Sequence, residues 1–136
     1  LVDIGVEPFL ISSSVLAVAA QRLVRTLCSE CKQPYAPNDA TLKSIGITKD
    51  QLQTSPIFRA QGCENCLNTG YKGRTSIFEI MLLDSQLKSI ILKTYDSNRI
   101  KQEALKLNMV TLRMDGIQKV LSGISTIEEI LRVTQK

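Results

Sequence analysis

The sequence predicts an α/β fold in which two strands bracket a long cysteine-bearing insertion and a series of short helices follows. Three observations carry this. Arg22 to Leu27 and Arg74 to Leu83 are strand-length runs rich in long and β-branched residues. All four cysteines lie between them, in a segment punctuated by proline and glycine. From Asp84 to Lys136 apolar residues recur at helical spacing behind capping residues. With 136 residues, 43% of them hydrophobic and 22% charged, the chain can bury one core or two small ones.

Composition narrows the function. No apolar run approaches the roughly 20 residues needed to cross a bilayer, since Phe9 to Ala20 is broken by Ser12, Ser13 and Ser14. The opening Leu1-Val2-Asp3-Ile4 offers neither an initiator Met nor the basic start of a signal peptide, so the chain reads as part of something larger. The chain contains no histidine. Ser-His-Asp, Cys-His and Zn-His chemistry therefore cannot be assembled from its own residues. The net charge of +4, 4% aromatic content and lack of Trp make a poor nucleic-acid surface.

Along the chain, Pro8 suits a first helical turn, and Ser12 to Ser14 is read as a cap for a largely apolar helix through Val15, Leu16, Val18, Ala19 and Ala20. Gln21 to Leu27 is read as a short strand, with a continued helix as the competing reading. The stretch from Cys28 to Cys66 has few large apolar residues and one expected short helix, Asn38 to Ile45, capped by Asn38 or Asp39. Gly70-Tyr71-Lys72-Gly73 makes a turn into Arg74 to Leu83, which pairs with Arg22 to Leu27. Three or four helices complete the chain. Asp84 or Ser85 caps one carrying Leu87, Ile90 and Ile91, and Ser97 or Asn98 caps one carrying Ile100, Ala104 and Leu105. Thr111 opens Leu112 to Leu121, whose apolar Leu112, Ile117, Val120 and Leu121 are expected in a core or an interdomain contact and which Gly123 closes. Ser125-Thr126-Ile127-Glu128 has capping-box spacing before Ile130, Leu131 and Val133.

The cysteines form two identical motifs, Cys28-Ser29-Glu30-Cys31 and Cys63-Glu64-Asn65-Cys66, with 31 residues between them. Two such knuckles supply the four soft ligands of a tetrahedral Zn²⁺, so Cys28, Cys31, Cys63 and Cys66 are the expected metal ligands. Iron or disulfides are the competing readings. A closed shell of four cysteines leaves no position for a reactive water, which makes the site structural. Four thiolates and one Zn²⁺ also lower the formal +4 to +2, weakening the case for nucleic acid further.

The wording of the sequence adds to its spacing. Gly5-Val6-Glu7-Pro8-Phe9-Leu10, Ala20 to Cys28, Gly62-Cys63 to Cys66-x-x-x-Gly70-Tyr71-Lys72-Gly73-Arg74 and Gly123 to Thr134 resemble the C-terminal part of the secretion ATPases that drive type II secretion and type IV pilus assembly. The resemblance implies the C-terminal end of a RecA-like ATPase domain, with an inserted four-Cys zinc module and a small helical subdomain. Residues 1–27 would be the last helix and strand of the core, 28–70 the zinc module, 71–83 the returning strand and 84–136 the helical subdomain. It further implies ATP and Mg²⁺ in the parent, a homo-hexamer, a cytoplasmic place peripheral to the inner membrane, and partners in the upstream ATPase core, the N-terminal domains and the inner-membrane platform. Gln21 and Arg22 match a Gln-Arg that the family places near nucleotide at the end of a helix. The competing reading of Arg22 is a surface or interface salt bridge. Arg25 is a weaker nucleotide candidate, Arg74 is expected as a strand-start residue that anchors the zinc knuckle or a subunit interface, and Tyr71 is expected to pack on the zinc turn. Lys88, Lys93, Lys101 and Lys106 are expected on solvated helix faces. No Gly-rich phosphate loop ending in Gly-Lys occurs, so these residues alone should not hydrolyse ATP. The alternative function is a free-standing zinc-ribbon module that binds nucleic acid.

Overall fold

The computed structural model describes residues 2–135. The described residues divide into two compact units, one made of 2–20 and 79–111 and the other of 21–78 and 112–135. The chain passes between them inside two strands, β1 (Ala17–Leu27) and β4 (Tyr71–Leu82), which pair as a two-stranded ribbon. Leu83 N–H donates to the Leu16 carbonyl at one end and Cys28 N–H to that of Gly70 at the other, so the strands run antiparallel. The expected strand pairing around a long insertion is thus present.

The first unit holds α1 (Pro8–Ser14), α4 (Ser85–Ile91) and α5 (Ser97–Lys106). Pro8 stands in the first turn of α1, where its missing N–H is no loss. The expected helix through Val15 to Ala20 is not formed. The Ser12 and Ser13 hydroxyls bond back to the carbonyls of Phe9 and Leu10 at 3.0 and 3.2 Å, so the serines lie in the last turn of a helix and do not cap a new one. Beyond them the chain is extended and gains a strand partner, the arrangement that β-branched Val15 and Val18 favour. Asp84 caps α4 as expected, accepting from Leu87 N–H at 2.8 Å. The cap of α5 is Asp96, one residue before the expected pair. Ile11, Leu83 and Ile91 form one apolar cluster here, and Leu87, Ala104 and Met109 another.

The second unit contains β2 (Gln33–Tyr35) and β3 (Ile57–Arg59), an antiparallel pair in which Pro34 faces Phe58. It also contains α2 (Asp39–Ile45), α3 (Lys49–Thr54), α6 (Leu112–Leu121) and α7 (Ile127–Thr134). Asn38 caps α2 through Thr41 N–H at 2.8 Å, and Gly46 ends it at φ 88°. Helix α3 and the β2–β3 pair were not expected. Residues 28–70 do not stand apart: Leu42, Ile45, Ile47 and Ile57 share one core with Val24 and Ile77 of the ribbon and with Ile117, Val120, Ile127 and Ile130 of α6 and α7. The expected helical stretch 84–136 is accordingly divided, α4 and α5 belonging to the first unit and α6 and α7 to the second.

Helix α7 is fastened by a buried carboxylate. Its cap is Thr126, one residue after the expected Ser125, and Glu129 N–H donates to the Thr126 hydroxyl at 3.2 Å. The Glu129 side chain, 0% exposed, turns inward. It accepts from the Arg25 N–H at 3.0 Å and from the Arg25 guanidinium at 2.8 and 3.0 Å, and from Arg132 at 2.7 and 3.0 Å. Burial pushes its pKa up, but the bonds from Arg132 and Arg25 outweigh that and bring it down to about 2.

Two outcomes are expected. Gly116 of α6 faces Ile130, and a Cβ there would stand 2.6 Å from Ile130 Cγ2. Gly116→Ala should therefore destabilise the chain by about 1–3 kcal/mol, reversing the roughly 1 kcal/mol gain that helix propensity alone would give; denaturant unfolding checks this. Glu129→Gln should cost about 2 kcal/mol at neutral pH, the half-exposed arginines recovering part of the loss in water. Because the folded pKa lies below the unfolded one, the stabilisation is complete above pH 4.5 and is lost as pH falls towards 2. The stability gap between wild type and variant should close over that range.

Candidate metal centre

Cys28 ends the pairing of β1, and Cys31 follows one tight turn later, with Lys32 N–H donating to the Cys28 carbonyl at 3.0 Å. The second knuckle is a short 3₁₀ turn, Glu64–Cys66. Asn68 N–H closes it on the Cys63 carbonyl at 2.8 Å. Leu67 and Asn68 both take positive φ, 52° and 59°, so that the chain doubles back. Glycines flank this turn where nothing larger fits. At Gly62 (φ 106°) a Cβ would meet the Asn68 carbonyl oxygen at 2.8 Å, and at Gly70 (φ 76°) it would meet Ala60 Cβ at 2.5 Å.

The knuckles bring all four Sγ atoms within 4.8 Å of one another. Cys28–Cys63 is 3.9 Å, Cys31–Cys66 3.8 Å and Cys63–Cys66 3.7 Å. All four cysteines are free, far from the roughly 2.05 Å of a disulfide. A tetrahedron of sulfurs with Zn–S bonds of about 2.3 Å has edges of about 3.8 Å. Three of the six sulfur–sulfur edges have this length and all lie within 4.8 Å, so the four thiols are a donor set that could hold one metal ion.

Backbone N–H groups point at the sulfurs. Gly62 donates to Cys31 Sγ at 3.3 Å, and Cys63 and Gly70 donate to Cys66 Sγ at 3.2 Å each. Such bonds favour thiolates and orient their lone pairs. Burial pushes the Cys66 thiol up, but the N–H groups of Cys63 and Gly70 and the neighbouring sulfurs bring it down. At Cys63 removal from water dominates and the thiol is pushed up. Cys28 and Cys66 are buried, while Cys31 and Cys63 are half-buried towards solvent.

The other candidate residues are placed as follows. Gln21 and Arg22 lie inside β1, not at the end of a helix, because the segment before them is extended. Gln21 donates to the Ser76 hydroxyl at 2.6 Å. Arg22 is exposed, and no salt bridge holds it among the described residues. Arg25 is taken up by Glu129 and stacks over the Tyr71 ring at 4.0 Å. Tyr71 bonds to the Thr126 hydroxyl at 2.9 Å, so it reaches α7 as well as the cysteine turn. Arg74 is exposed near the start of β4. Glu129 is the residue that sequence reading missed. Its signals were Thr126 three residues before it, a cap spacing, and Arg132 three residues after it, an ion-pair spacing.

Residues 1–132 match the family model described as type II/IV secretion system protein. The chain is 43% identical to the type II secretion system protein E of Pseudomonas aeruginosa, covering 100% of this chain and 26% of that protein. It is 41% identical to the type II secretion system ATPase E of Vibrio cholerae, over 98% of this chain and 26% of that one. It is 40% identical to the type IV pilus assembly ATPase PilB of Thermus thermophilus, over 97% of this chain and 15% of the relative. The chain thus spans about a quarter or less of the length of these relatives. It belongs to the type II/IV secretion system protein family.

Proposed function

We propose that the chain is the C-terminal part of a hexameric ATPase that powers type II secretion or type IV pilus assembly, bound peripherally to the cytoplasmic face of the inner membrane. The observation that carries this reading is the match of residues 1–132 to proteins named as secretion and pilus ATPases, in a chain that has no phosphate-binding loop of its own. Its role is then structural and mechanical. The ribbon supports it: Leu16 is 77% and Leu82 67% exposed at the first unit's end of β1 and β4, as strands that continue a larger sheet would be. On this reading residues 1–27 and 71–83 complete a RecA-like core, the phosphate-binding loop that holds ATP and Mg²⁺ is supplied by other parts of the parent, and Gln21 and Arg22 are the nucleotide-proximal residues of this chain. The remaining surface of 28–70 and 84–136 serves contacts with neighbouring subunits and the inner-membrane platform.

In the same reading Cys28, Cys31, Cys63 and Cys66 hold one structural Zn²⁺. When bound, it supplies cohesion and no reactive water. The backbone N–H groups of Gly62, Cys63 and Gly70 orient the thiolates, and Gly62 and Gly70 leave room for the chain to fold around them. No nucleic acid is a partner, since the charge is low and stacking platforms are few.

Elemental analysis of purified chain should find about one zinc per molecule, and Cys63→Ser should reduce it severalfold. A folded chain free of metal would overturn the zinc assignment. In the complete ATPase, Arg22→Ala should lower turnover by about tenfold or more, with a smaller change in ATP affinity. Unchanged turnover would return Arg22 to a surface role.

A further inference from the structure

The turn between α6 and α7 is held, residue by residue, by the flanks of the two knuckles. Lys32, next to Cys31, donates its Nζ to the Gly123 carbonyl at 3.0 Å and lies 4.6 Å from the Phe58 ring centre. That ring closes on Gly123 so tightly that a Cβ there would meet Phe58 Cε2 at 2.9 Å. Leu27, next to Cys28, donates its N–H to the Ile124 carbonyl at 2.8 Å. Ser125 donates its hydroxyl to the Arg25 carbonyl at 2.8 Å. Tyr71, next to Gly70, bonds to the Thr126 hydroxyl at 2.9 Å.

Four consecutive residues, Gly123 to Thr126, are thus gripped by residues within three positions of Cys28, Cys31 or Gly70. Gly70 itself joins the knuckles, its N–H donating to Cys66 Sγ at 3.2 Å and its carbonyl accepting from Cys28 N–H at 3.0 Å. Sulfurs 3.7–3.9 Å apart have little to hold them together unless a cation lies among them. Separation of the knuckles would withdraw Leu27, Lys32 and Tyr71 from the turn together. Thr126 and Glu129 would then lose their alignment on Tyr71 and Arg25.

We propose that metal occupancy of the four-Cys centre and docking of α7 are one linked equilibrium, with the 123–126 turn as the connecting part. The proposal rests on the zinc reading above. Linkage makes the effect reciprocal: residues that fasten α7 to the knuckles raise metal affinity by the factor with which metal favours docking.

The test is hydrogen exchange on the full chain, as purified and after zinc removal by a chelator under reducing conditions, together with zinc affinity by competition with a chromophoric chelator. After removal the α7 amides should exchange about tenfold faster or more, with α4 and α5 unchanged. Tyr71→Phe and Lys32→Met each delete one grip and leave the core intact. Each should bind zinc about three- to tenfold more weakly. A chain that binds zinc but keeps α7 equally protected without it, or variants with unchanged zinc affinity, would overturn the linkage while leaving the zinc assignment standing. Equal loosening of α4 and α5 would overturn it by showing general unfolding. A chain that binds no zinc would overturn the zinc reading, and the linkage with it.

Discussion

The second unit depends on the placement of one buried charge. An ionised carboxylate out of water is tolerated only when donors replace its hydration, and Glu129 receives five hydrogen bonds from two arginines and a strand N–H. The strand bond matters as much as the ion pairs. Arg25 N–H, on β1, is satisfied by a side chain from α7, so strand and helix are fixed in register. An apolar residue at this position could bury comparable area, but nothing would then fix how far α7 slides along β1. Direction comes from the charge, and most of the adhesion from Ile127 and Ile130, both fully buried beside it.

That registration explains how residues 28–70 fold without a core of their own. Leu42, Ile45, Ile47 and Ile57 would be too few to order the segment in isolation. They add to a core already lined by Val24, Ile77, Ile117 and Val120, so the segment extends an existing interior. The cysteines act at the opposite end of the insertion, where its two arms leave and rejoin the ribbon. Closing a loop at its base removes the most unfolded-state freedom for each contact made.

Much of this was legible in the sequence, for identifiable reasons. The knuckles announced themselves because two C-x-x-C spacings have few other uses. The ribbon followed from composition, and Asn38, Asp84 and Gly123 ended helices where short polar or glycine chemistry requires. The misreadings have physical causes. Val15 to Ala20 is apolar enough for a buried helix or a strand, and pairing at Leu83, 67 residues further on, decides between them. The β2–β3 pair forms around Pro34, which propensity excludes from central strands but which a two-stranded edge tolerates. Glu129 was hidden because a Glu beside another Glu in a first helical turn looks like ordinary helix-dipole chemistry. Its partner Arg25 lies 104 residues away, beyond any local pattern.

The two arginines of β1 show how structure divides roles that the sequence leaves open. Arg22 and Arg25 are three positions apart, so they project from opposite faces of the strand. Arg25 compensates a buried carboxylate and lies over an aromatic ring. Swinging it towards a phosphate would leave the buried Glu129 with one arginine fewer and two hydrogen bonds lost. Its charge is committed inward, and any phosphate-facing role on this strand falls to Arg22. The guanidinium there is exposed and held by no salt bridge among the described residues, so turning it outward breaks no ion pair.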